Sequence, residues 1–211
     1  MKEVITGDNS ITYYSEEAQD HYHTKSGARE EAFEKHAKAL EIKANSVIYD
    51  MFFGLGYNSA AAIDILKDNV TIYCFENDKE ILKLALEMDA DFESWCIIKD
   101  FLRGFLDNGE TIYVKDNIKL VMVYGDALET IKEEREKADY IFFDPFSPAK
   151  VPQFWTVDFF KDIKSKMNKN GKLSTYSCAR FVKDNFTEAG FRLEKGPIIG
   201  RRSPSTIAIN E

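Results

Sequence analysis

The sequence predicts an α/β fold in which a mostly parallel sheet carries helices on both faces. Short apolar runs of strand length alternate along the chain with helical patterns, which is typical of βαβ units. Four of these runs are followed by glycine or by an acidic residue, and residues at the carboxyl ends of parallel strands gather at one edge of a sheet. The 211 residues, 44% of them apolar, are enough to bury one sizeable core.

The first 45 residues are predicted to form an N-terminal extension made of a hairpin and a helix. Polar turn-forming residues separate two short strands, and a helical pattern follows after a further polar stretch. The two strands and the helix are expected at residues 4–6, 11–13 and about 26–42.

Residues 46–211 are predicted to form one compact α/β domain. Its strands are expected at residues 47–53, 70–75, 111–123 as a hairpin, 139–143, 172–177, 191–195 and 205–209. Its helices are expected at residues 58–67, 78–87, 91–107, 127–137, 156–167 and 180–189. The last two strands are expected to add an antiparallel edge to the parallel sheet.

A glycine turn follows the first strand of this domain. Strand, turn and helix in this order are typical of a nucleotide-binding unit, because glycines let the backbone approach a ligand and the helix start offers free N–H groups. The third glycine of a dinucleotide fingerprint is absent, since position 59 is Ser, so the turn favours a nucleoside ligand without phosphates. The residues predicted to bind it here are Gly54, Leu55, Gly56, Asn58 and Ser59.

Acidic residues follow the next two strands. Glu76, with Asn77 behind it, lies about twenty residues beyond the glycines, where a carboxylate can accept ribose hydroxyls. Gly125, Asp126 and Ala127 form a turn before a helix. Two compatible roles stay open for Asp126, which are capping that helix and accepting a hydrogen bond from an adenine amino group.

Asp144 follows the strand at 139–143 and begins a stiff loop. Three prolines fix φ within eight residues, so the loop can hold Asp144, Phe146 and Trp155 in place; they stand at positions 145, 148 and 152. Asp144 is the predicted catalytic residue. Phe146 and Trp155 are predicted to contact the substrate, and packing beneath the loop is the alternative for both.

Together, these strand-end residues have the layout of a Rossmann-like class I S-adenosylmethionine-dependent methyltransferase. The sequence therefore predicts S-adenosylmethionine as the cofactor, and Asp144 and Pro145 are added to its predicted binding residues. A primary amine is a nucleophile only when neutral, so such a site must also orient the amine and accept its surplus proton. Asp144 and the backbone carbonyl of Pro145 are the predicted acceptors.

Charge is distributed unevenly along the chain. The net charge is −8, yet residues 161–211 hold eleven Lys or Arg against five Asp or Glu. A basic segment beside an acidic remainder suits a protein that meets phosphate along one edge, and solvated helix faces are the alternative. Arg201 and Arg202 lie in a predicted turn between strands, where we expect substrate contact.

The sequence offers little support for disulfides, metal or membrane. Three scattered cysteines are typical of a reducing cytoplasm. His21 and His23 have no clustered partner that would complete a metal site. No apolar run approaches the ~18 residues of a membrane span, so we expect a cytoplasmic protein.

Several motifs of this chain, taken together, resemble those of one known family. The resemblance covers nearly the whole chain and includes the glycine turn and Gly125-Asp126-Ala127. Near the N-terminus it rests on Gly7-Asp8-Asn9-Ser10-x-Thr12 and on residues 23–28 leading into Glu31. Its most specific part is Asp144-Pro145-Phe146-Ser147-Pro148-x-Lys150-x-Pro152-x-x-Trp155.

By these motifs the chain resembles the tRNA 5-methylaminomethyl-2-thiouridine methyltransferases, or MnmC-like methyltransferase domain. The resemblance implies methylation of the aminomethyl group on the wobble uridine of tRNA. The flavin-dependent oxidase domain fused to bacterial members has no counterpart in these 211 residues, so a separate enzyme is expected to supply the amine. The implied substrate contacts are Phe146, Lys150, Trp155, Arg201 and Arg202. Arg201-Arg202-Ser203 departs from the Lys-Arg-Glu-like pattern expected there.

Two other functions remain open from the sequence. An aminopropyltransferase of the spermidine synthase type shares the strand-end residues, but Lys150 would repel its polycationic substrate. The second alternative is a catalytically silent tRNA-binding module that keeps the fold.

Overall fold

The computed structural model describes residues 1–16, 18–24, 26–199 and 203–211. Its strands are β1 Lys2–Ile5, β2 Ile11–Ser15, β3 Asp20–His21, β4 Ser46–Met51, β5 Val70–Glu76, β6 Ile112–Lys115, β7 Ile118–Tyr124, β8 Ala138–Phe143, β9 Met167–Thr175, β10 Arg192–Lys195 and β11 Thr206–Ile209. Its helices are α1 Ala28–Glu31, α2 Tyr57–Leu66, α3 Lys79–Glu87, α4 Trp95–Asn108, α5 Ala127–Glu133, α6 Val157–Ser165 and α7 Arg180–Glu188. A π-helical segment, Ala32–Ala37, continues α1, and a 3₁₀ turn, Pro152–Trp155, precedes α6.

The main sheet has eight strands in the order β10-β11-β9-β8-β4-β5-β7-β6. Strands β9, β8, β4, β5 and β7 are parallel, while β6, β11 and β10 pair antiparallel at the two edges. The mostly parallel sheet with an antiparallel closing edge is therefore confirmed. From β4 the chain goes first to β5 on one side and later to β8 on the other. The sheet order thus reverses beside β4, which is where ligands bind in open α/β sheets.

Each face of the sheet has its own apolar core. Side chains alternate along a strand, so Ile48 of β4 packs toward α2, α3 and α4 while Tyr49 packs toward α5, α6 and α7. The predicted placement of helices on both faces is confirmed. The N-terminal extension packs on the first of these cores through Ala28, Ala32 and Leu40.

The N-terminal helix differs from its prediction. The expected helix at about 26–42 is a single turn, α1, followed by a π-helical segment, in which the Lys38 N–H donates to Phe33 O over 2.9 Å. Lys35 and His36 are buried in this segment, at 1% and 0% exposure. A 3.6-residue apolar period does not predict a helix that turns Lys and His inward, and π segments often mark functional sites.

Three further details differ from the predictions. The predicted hairpin gains a third strand, β3. The helix expected from residue 91 begins at Trp95, because Asp64 accepts hydrogen bonds from the Glu93 and Ser94 N–H groups and holds the preceding residues as a turn. Cys96, expected on the apolar side of that helix, is exposed.

Asp8 joins the hairpin turn to the start of α1. Its carboxylate accepts hydrogen bonds from the Thr6 hydroxyl, the Ser10 hydroxyl and the Glu30 N–H, at 2.6, 2.6 and 3.0 Å. Gly27 is required beside it, because a Cβ there would stand 2.6 Å from Asp8 Oδ2. The motifs around residues 7–12 and 23–28 therefore meet, and their joint role in the structure is to cap a helix.

Replacing Asp8 with Asn should destabilise the fold by about 0.5–2 kcal/mol at pH 7, because both oxygens of Asp8 accept hydrogen bonds and an amide has only one acceptor oxygen. Burial opposes ionisation of Asp8, but hydrogen bonds from Ser10, Thr6 and the Glu30 N–H outweigh it and lower the pKa from 3.8 to about 2. A lowered acid pKa stabilises the fold above pH 3.8, and this contribution is lost as the pH falls through about 2. Urea unfolding from pH 7 to pH 2 should show the variant converging on the wild type.

Glu30→Gln is the control for Asp8→Asn, because it removes an exposed carboxylate from α1, the helical turn that Asp8 caps. It should change the free energy of unfolding by less than about 0.5 kcal/mol. Equal effects of the two substitutions would contradict the capping role of Asp8.

Candidate active site

A cavity of about 940 Å³ opens at the carboxyl ends of the parallel strands. It collects most of the residues that the sequence singled out, although they come from positions as far apart as 54 and 150. Those that line it are Gly54, Asn58, Glu76, Asn77, Gly125, Asp126, Ala127, Asp144, Pro145, Phe146 and Lys150. Leu55, Gly56, Ser59 and Trp155 are not among the lining residues, and Arg201 and Arg202 lie outside the described residues.

The two glycines of the turn have different tasks. Both adopt left-handed backbone conformations, with φ of +56° at Gly54 and +83° at Gly56. A Cβ at Gly54 would stand 3.3 Å from the Tyr22 ring, so a side chain here would take up space in the cavity. A Cβ at Gly56 would stand 2.6 Å from the Phe53 ring, so this glycine serves packing beneath the turn.

Glu76 connects the ends of β4 and β5. Its carboxylate accepts hydrogen bonds from the N–H groups of Gly54, Asn77 and Asp78, at 2.8, 2.8 and 2.9 Å. Burial raises the pKa of Glu76, and these three hydrogen bonds oppose the rise. A carboxylate has about four lone-pair directions, so one remains for a ligand hydroxyl.

Asp126 caps α5, which was one of its two open roles. Its Oδ1 accepts a hydrogen bond from the Leu128 N–H at 2.9 Å, and its side chain is exposed at the edge of the cavity. The loops after β5 and β7 are held together, because the Tyr124 hydroxyl donates to the backbone oxygen of Asn77 at 2.9 Å. Gly125, Asp126 and Ala127 therefore line the cavity beside the loop after β5, to which this hydrogen bond connects them.

Asp144 lies on the floor of the cavity, directly after β8. Its side chain is 10% exposed, and its Oδ2 lies 3.5 Å from Asn58 Nδ2 and 3.7 Å from His36 Nε2. Burial and the nearby Glu31 raise the pKa of Asp144 to about 6, although Lys35 and a hydrogen bond from Asn58 oppose the rise. A carboxyl group with that pKa is ionised at neutral pH yet basic enough to accept a proton.

A cluster of buried ionisable groups behind Asp144 was not predicted. Glu31 and Lys35 form an ion pair whose side chains are 5% and 2% exposed, and Glu31 also accepts a hydrogen bond from the Thr24 N–H. Burial lowers the pKa of His36 to about 3 and also lowers that of His23, so both imidazoles are neutral at pH 7. The only available signal was the resemblance, which included His23 and Glu31.

Ser59 supports the site from beneath. Its hydroxyl donates to Asp50 Oδ2 at 2.6 Å, and both side chains are buried in the structure. Burial raises the pKa of Asp50 to about 7, a rise that the hydrogen bond from Ser59 opposes. The structure therefore places Ser59 against a core carboxyl group and away from the cavity.

Aromatic rings form the walls beyond Asp144. The Phe146 ring meets the Tyr22 ring edge-on at 4.9 Å, and both line the cavity. Trp155 is 1% exposed, packs on Phe143 and donates its Nε1–H to Phe146 O at 3.1 Å. For Trp155 the structure thus favours the packing alternative, since it supports the Phe146 backbone from within the core.

Lys150 stands at the rim of the cavity, with its Nζ 3.4 Å from Gln19 Oε1.

Within the described part of the chain, no helix is both long and apolar enough to cross a membrane. Over the same residues, the structure contains no group of three His, Cys, Asp or Glu side chains arranged to hold a metal ion.

Comparisons with known proteins agree with this geometry. A family model described as S-adenosyl-L-methionine-dependent methyltransferase matches residues 96–211. The crystal structure of MNMC2 from Aquifex aeolicus superposes with a TM-score of 0.80 and 31% identity, over 100% of this chain and 70% of that one.

Two sequence relatives extend over nearly the whole chain. An uncharacterized protein of Methanocaldococcus jannaschii is 35% identical over 210 residues, which are 97% of this chain and 58% of that protein. The tRNA 5-methylaminomethyl-2-thiouridine biosynthesis bifunctional protein MnmC of Leptospira interrogans is 27% identical over 94% of this chain. The match covers 34% of the Leptospira protein, so this chain corresponds to one part of a longer relative.

Proposed function

Because this chain belongs to the MnmC-like S-adenosyl-L-methionine-dependent methyltransferases, we propose that it methylates the aminomethyl group on the modified wobble uridine of tRNA. The observation that carries the proposal is the position of Asp144, a carboxylate with a raised pKa on the floor of a cavity walled by Phe146 and Tyr22. Such a site suits a flat base that carries an amine. The name of the Leptospira relative supports tRNA as the substrate.

S-adenosylmethionine supplies an electrophilic methyl group when it is bound. The residues present suit its parts: Gly54 leaves room for close approach, and Glu76 would accept a hydrogen bond from a ribose hydroxyl. Asn58 Oδ1 is buried and has no hydrogen-bond partner within the described residues, so an ammonium N–H of the methionine portion would satisfy it. Asp126 accepts the remaining proposed contact, from the adenine amino group.

Glu76→Ala should weaken S-adenosylmethionine binding by about 1–3 kcal/mol, because a ribose hydroxyl and the Gly54 N–H both lose their acceptor. Isothermal titration calorimetry measures the change, after a thermal melt has shown that the variant is folded. Glu80→Ala is the matched control, since it removes an exposed carboxylate from the first turn of α3. An unchanged dissociation constant for Glu76→Ala would remove Glu76 from the cofactor site.

Asp144 performs the chemistry of the acceptor in this proposal. The amine enters neutral, and Asp144 accepts a hydrogen bond from it that orients the nitrogen lone pair. Bound S-adenosylmethionine would supply the methyl group by breaking its sulfur–methyl bond, and the nitrogen that gains the group would become positively charged. Asp144 stabilises that charge and takes the surplus proton.

Lys150, Arg201 and Arg202 are proposed to contact tRNA phosphates. The triple Ala variant should bind S-adenosylmethionine normally and bind tRNA more weakly, with a salt dependence shallower by roughly one unit of slope for each phosphate that is no longer neutralised. Filter binding at several KCl concentrations, from about 50 to about 300 mM, measures the tRNA affinity and its salt dependence. Lys161→Ala, an exposed lysine of α6, is the control, and an effect equal to that of the triple variant would indicate a non-specific loss of charge.

The decisive experiment is mass spectrometry of wobble nucleosides after incubation with S-adenosylmethionine and tRNA that carries the aminomethyl group. A gain of one methyl group on that nucleoside would support the proposal, and its absence under saturating cofactor would contradict it. Aminopropylation of a diamine by decarboxylated S-adenosylmethionine would indicate the spermidine synthase alternative. Binding of tRNA without binding of the cofactor would indicate a silent module.

A further inference from the structure

His36 lies behind Asp144 and has no assigned role. It belongs to the π-helical segment, its side chain is 0% exposed, and its Nε2 points to Asp144 Oδ2 across 3.7 Å. That Nε2 has no hydrogen-bond partner within the described residues. A buried, unpaired polar atom is costly, so one that persists next to a catalytic carboxylate calls for a functional explanation.

The other ring nitrogen determines what Nε2 can do. His36 Nδ1 lies 2.9 Å from Ser174 Oγ on β9, and a hydroxyl can donate to an unprotonated Nδ1. In that arrangement the single proton of neutral His36 is on Nε2, facing Asp144. Neutrality follows from the surroundings, because burial and the adjacent positive charge of Lys35 both disfavour imidazolium, while Glu31 favours it.

We propose that His36 is the positioning residue for Asp144: its Nε2–H donates to Asp144 Oδ2 when the cavity is filled, so that Oδ1 is presented to the substrate amine. The inference rests on the proposed function, because it assigns the second oxygen to the amine. Asn58 Nδ2 approaches the same Oδ2, at 3.5 Å. Two donors converge on one oxygen, which sets the rotation of the carboxylate.

The present distance does not oppose this role. A separation of 3.7 Å exceeds a hydrogen bond, and 3.5 Å is at its limit. Catalytic hydrogen bonds are often long in ligand-free enzymes and shorten when substrate binds. A single shift of the carboxylate toward the interior, by somewhat less than about 1 Å, would bring both donors to ordinary hydrogen-bond distance.

The charged and titratable groups around Asp144 favour a donor over a proton relay. Glu31 and His23 face it from the N-terminal extension, Lys35 from the π-helical segment, and Asp50 from β4. Glu31 disfavours its ionised form, while Lys35 favours it. A neutral N–H donor stabilises the carboxylate without adding a charge to this set, whereas imidazolium beside Lys35 would be opposed.

The test combines two substitutions with a carboxylate titration. His36→Phe keeps a ring but removes the donor, and His36→Gln supplies an N–H near the former Nε2. With saturating S-adenosylmethionine in the cavity, the pKa of Asp144 is followed by carbon-13 NMR of the carboxyl group. In His36→Phe it should rise by about one unit, since the loss of a hydrogen bond to a charged group has an effect of that size. The acid limb of the single-turnover pH profile should move upward by the same amount, and His36→Gln should restore most of both shifts.

The matched control is Phe142→Leu, which disturbs the packing of the ring 5.6 Å from His36 and removes no polar group. It should leave the pKa of Asp144 unchanged. A similar shift in this variant, or no shift in His36→Phe, would overturn the positioning role.

A measurement on the wild-type protein covers the case in which His36→Phe does not fold. Nitrogen-15 NMR should show His36 as the Nε2–H tautomer, and the Nδ1–H tautomer would overturn the proposal. The titration and the tautomer need no tRNA, so they fail separately from the proposed function. A chain that showed both results yet methylated no tRNA would contradict the proposed function alone.

Discussion

Asp144→Ala should abolish most of the methyl-transfer step, with single-turnover methylation falling by ~100-fold to ~10,000-fold, the usual contribution of a positioned proton acceptor. Both substrates must be saturating, because Asp144 is also a proposed contact of the cofactor. Saturation is established by calorimetric titration of each variant with S-adenosylmethionine. If the saturated variant retains nearly wild-type turnover, the mechanism proposed for this carboxylate is wrong.

Stability should change in the opposite direction. Burial and Glu31 raise the pKa of Asp144 from 3.8 to about 6, which means that the folded state holds the proton more tightly than the unfolded state. Its protonated form therefore stabilises the fold at low pH, and this contribution is lost as the pH rises from 3.8 through about 6. Above that range the buried, ionised carboxylate destabilises the folded state, so Asp144→Asn should be at least as stable as the wild type at pH 8.

Asp139 provides a matched control within the same strand. It stands at the other end of β8, where its carboxylate accepts hydrogen bonds from the Val47 N–H at 3.0 Å and from Asn168 Nδ2 at 2.8 Å. Asp139→Ala should therefore cost about 1–3 kcal/mol of stability and leave methylation unchanged. The two variants separate function from folding, because Asp144→Ala should lose methylation and Asp139→Ala should lose stability.

The fold and the strand-end residues that line the cavity follow from local patterns. Strands β4, β5, β7 and β8 each appear in the sequence as an apolar run. Because these strands are parallel, the residues that follow them lie at the carboxyl edge of the sheet. Gly54, Glu76, Asp126 and Asp144 were accordingly found from sequence alone, and all four line the cavity.

The buried residues behind Asp144 do not follow from local patterns. Lys35 and His36 are polar residues in a segment whose period is neither that of an α-helix nor that of a strand, and their burial depends on β9 and the loop after β8. Trp155 illustrates the same limit: an aromatic residue in a proline-rich loop suits substrate contact and core packing equally. Tertiary contacts, here with Phe143 and Phe146, decide between the two.

Lys35→Met should destabilise the protein by about 3–5 kcal/mol at pH 7, because it leaves the Glu31 carboxylate buried without its counter-charge. Burial alone would raise the pKa of Glu31, but Lys35 and the Thr24 N–H outweigh it and lower the pKa below 4.5. The lowered pKa stabilises the wild type above pH 4.5, and this contribution is lost as the pH falls through the folded value. Urea unfolding at pH 7 and at pH 4 measures the effect.

The sign reverses once Lys35 is gone. Burial then dominates and raises the pKa of Glu31, so protonation of Glu31 stabilises the variant. The difference in free energy of unfolding from the wild type should therefore be smaller at pH 4 than at pH 7. The double variant Glu31→Gln and Lys35→Met should recover most of the loss at pH 7, since replacing both partners of a buried pair is often nearly neutral. A double variant as unstable as Lys35→Met would show that the lysine contributes through packing alone.

The same helical segment contains the control. Lys38 and Glu34 form an ion pair with the same four-residue spacing, but their side chains are 55% and 37% exposed. Lys38→Met should change stability by less than about 1 kcal/mol, because water screens an exposed pair. A large loss in Lys35→Met beside a small one in Lys38→Met would assign the difference to burial. Because Lys35 lowers the pKa of Asp144 and Glu31 raises it, this buried pair also contributes to the charge environment of Asp144.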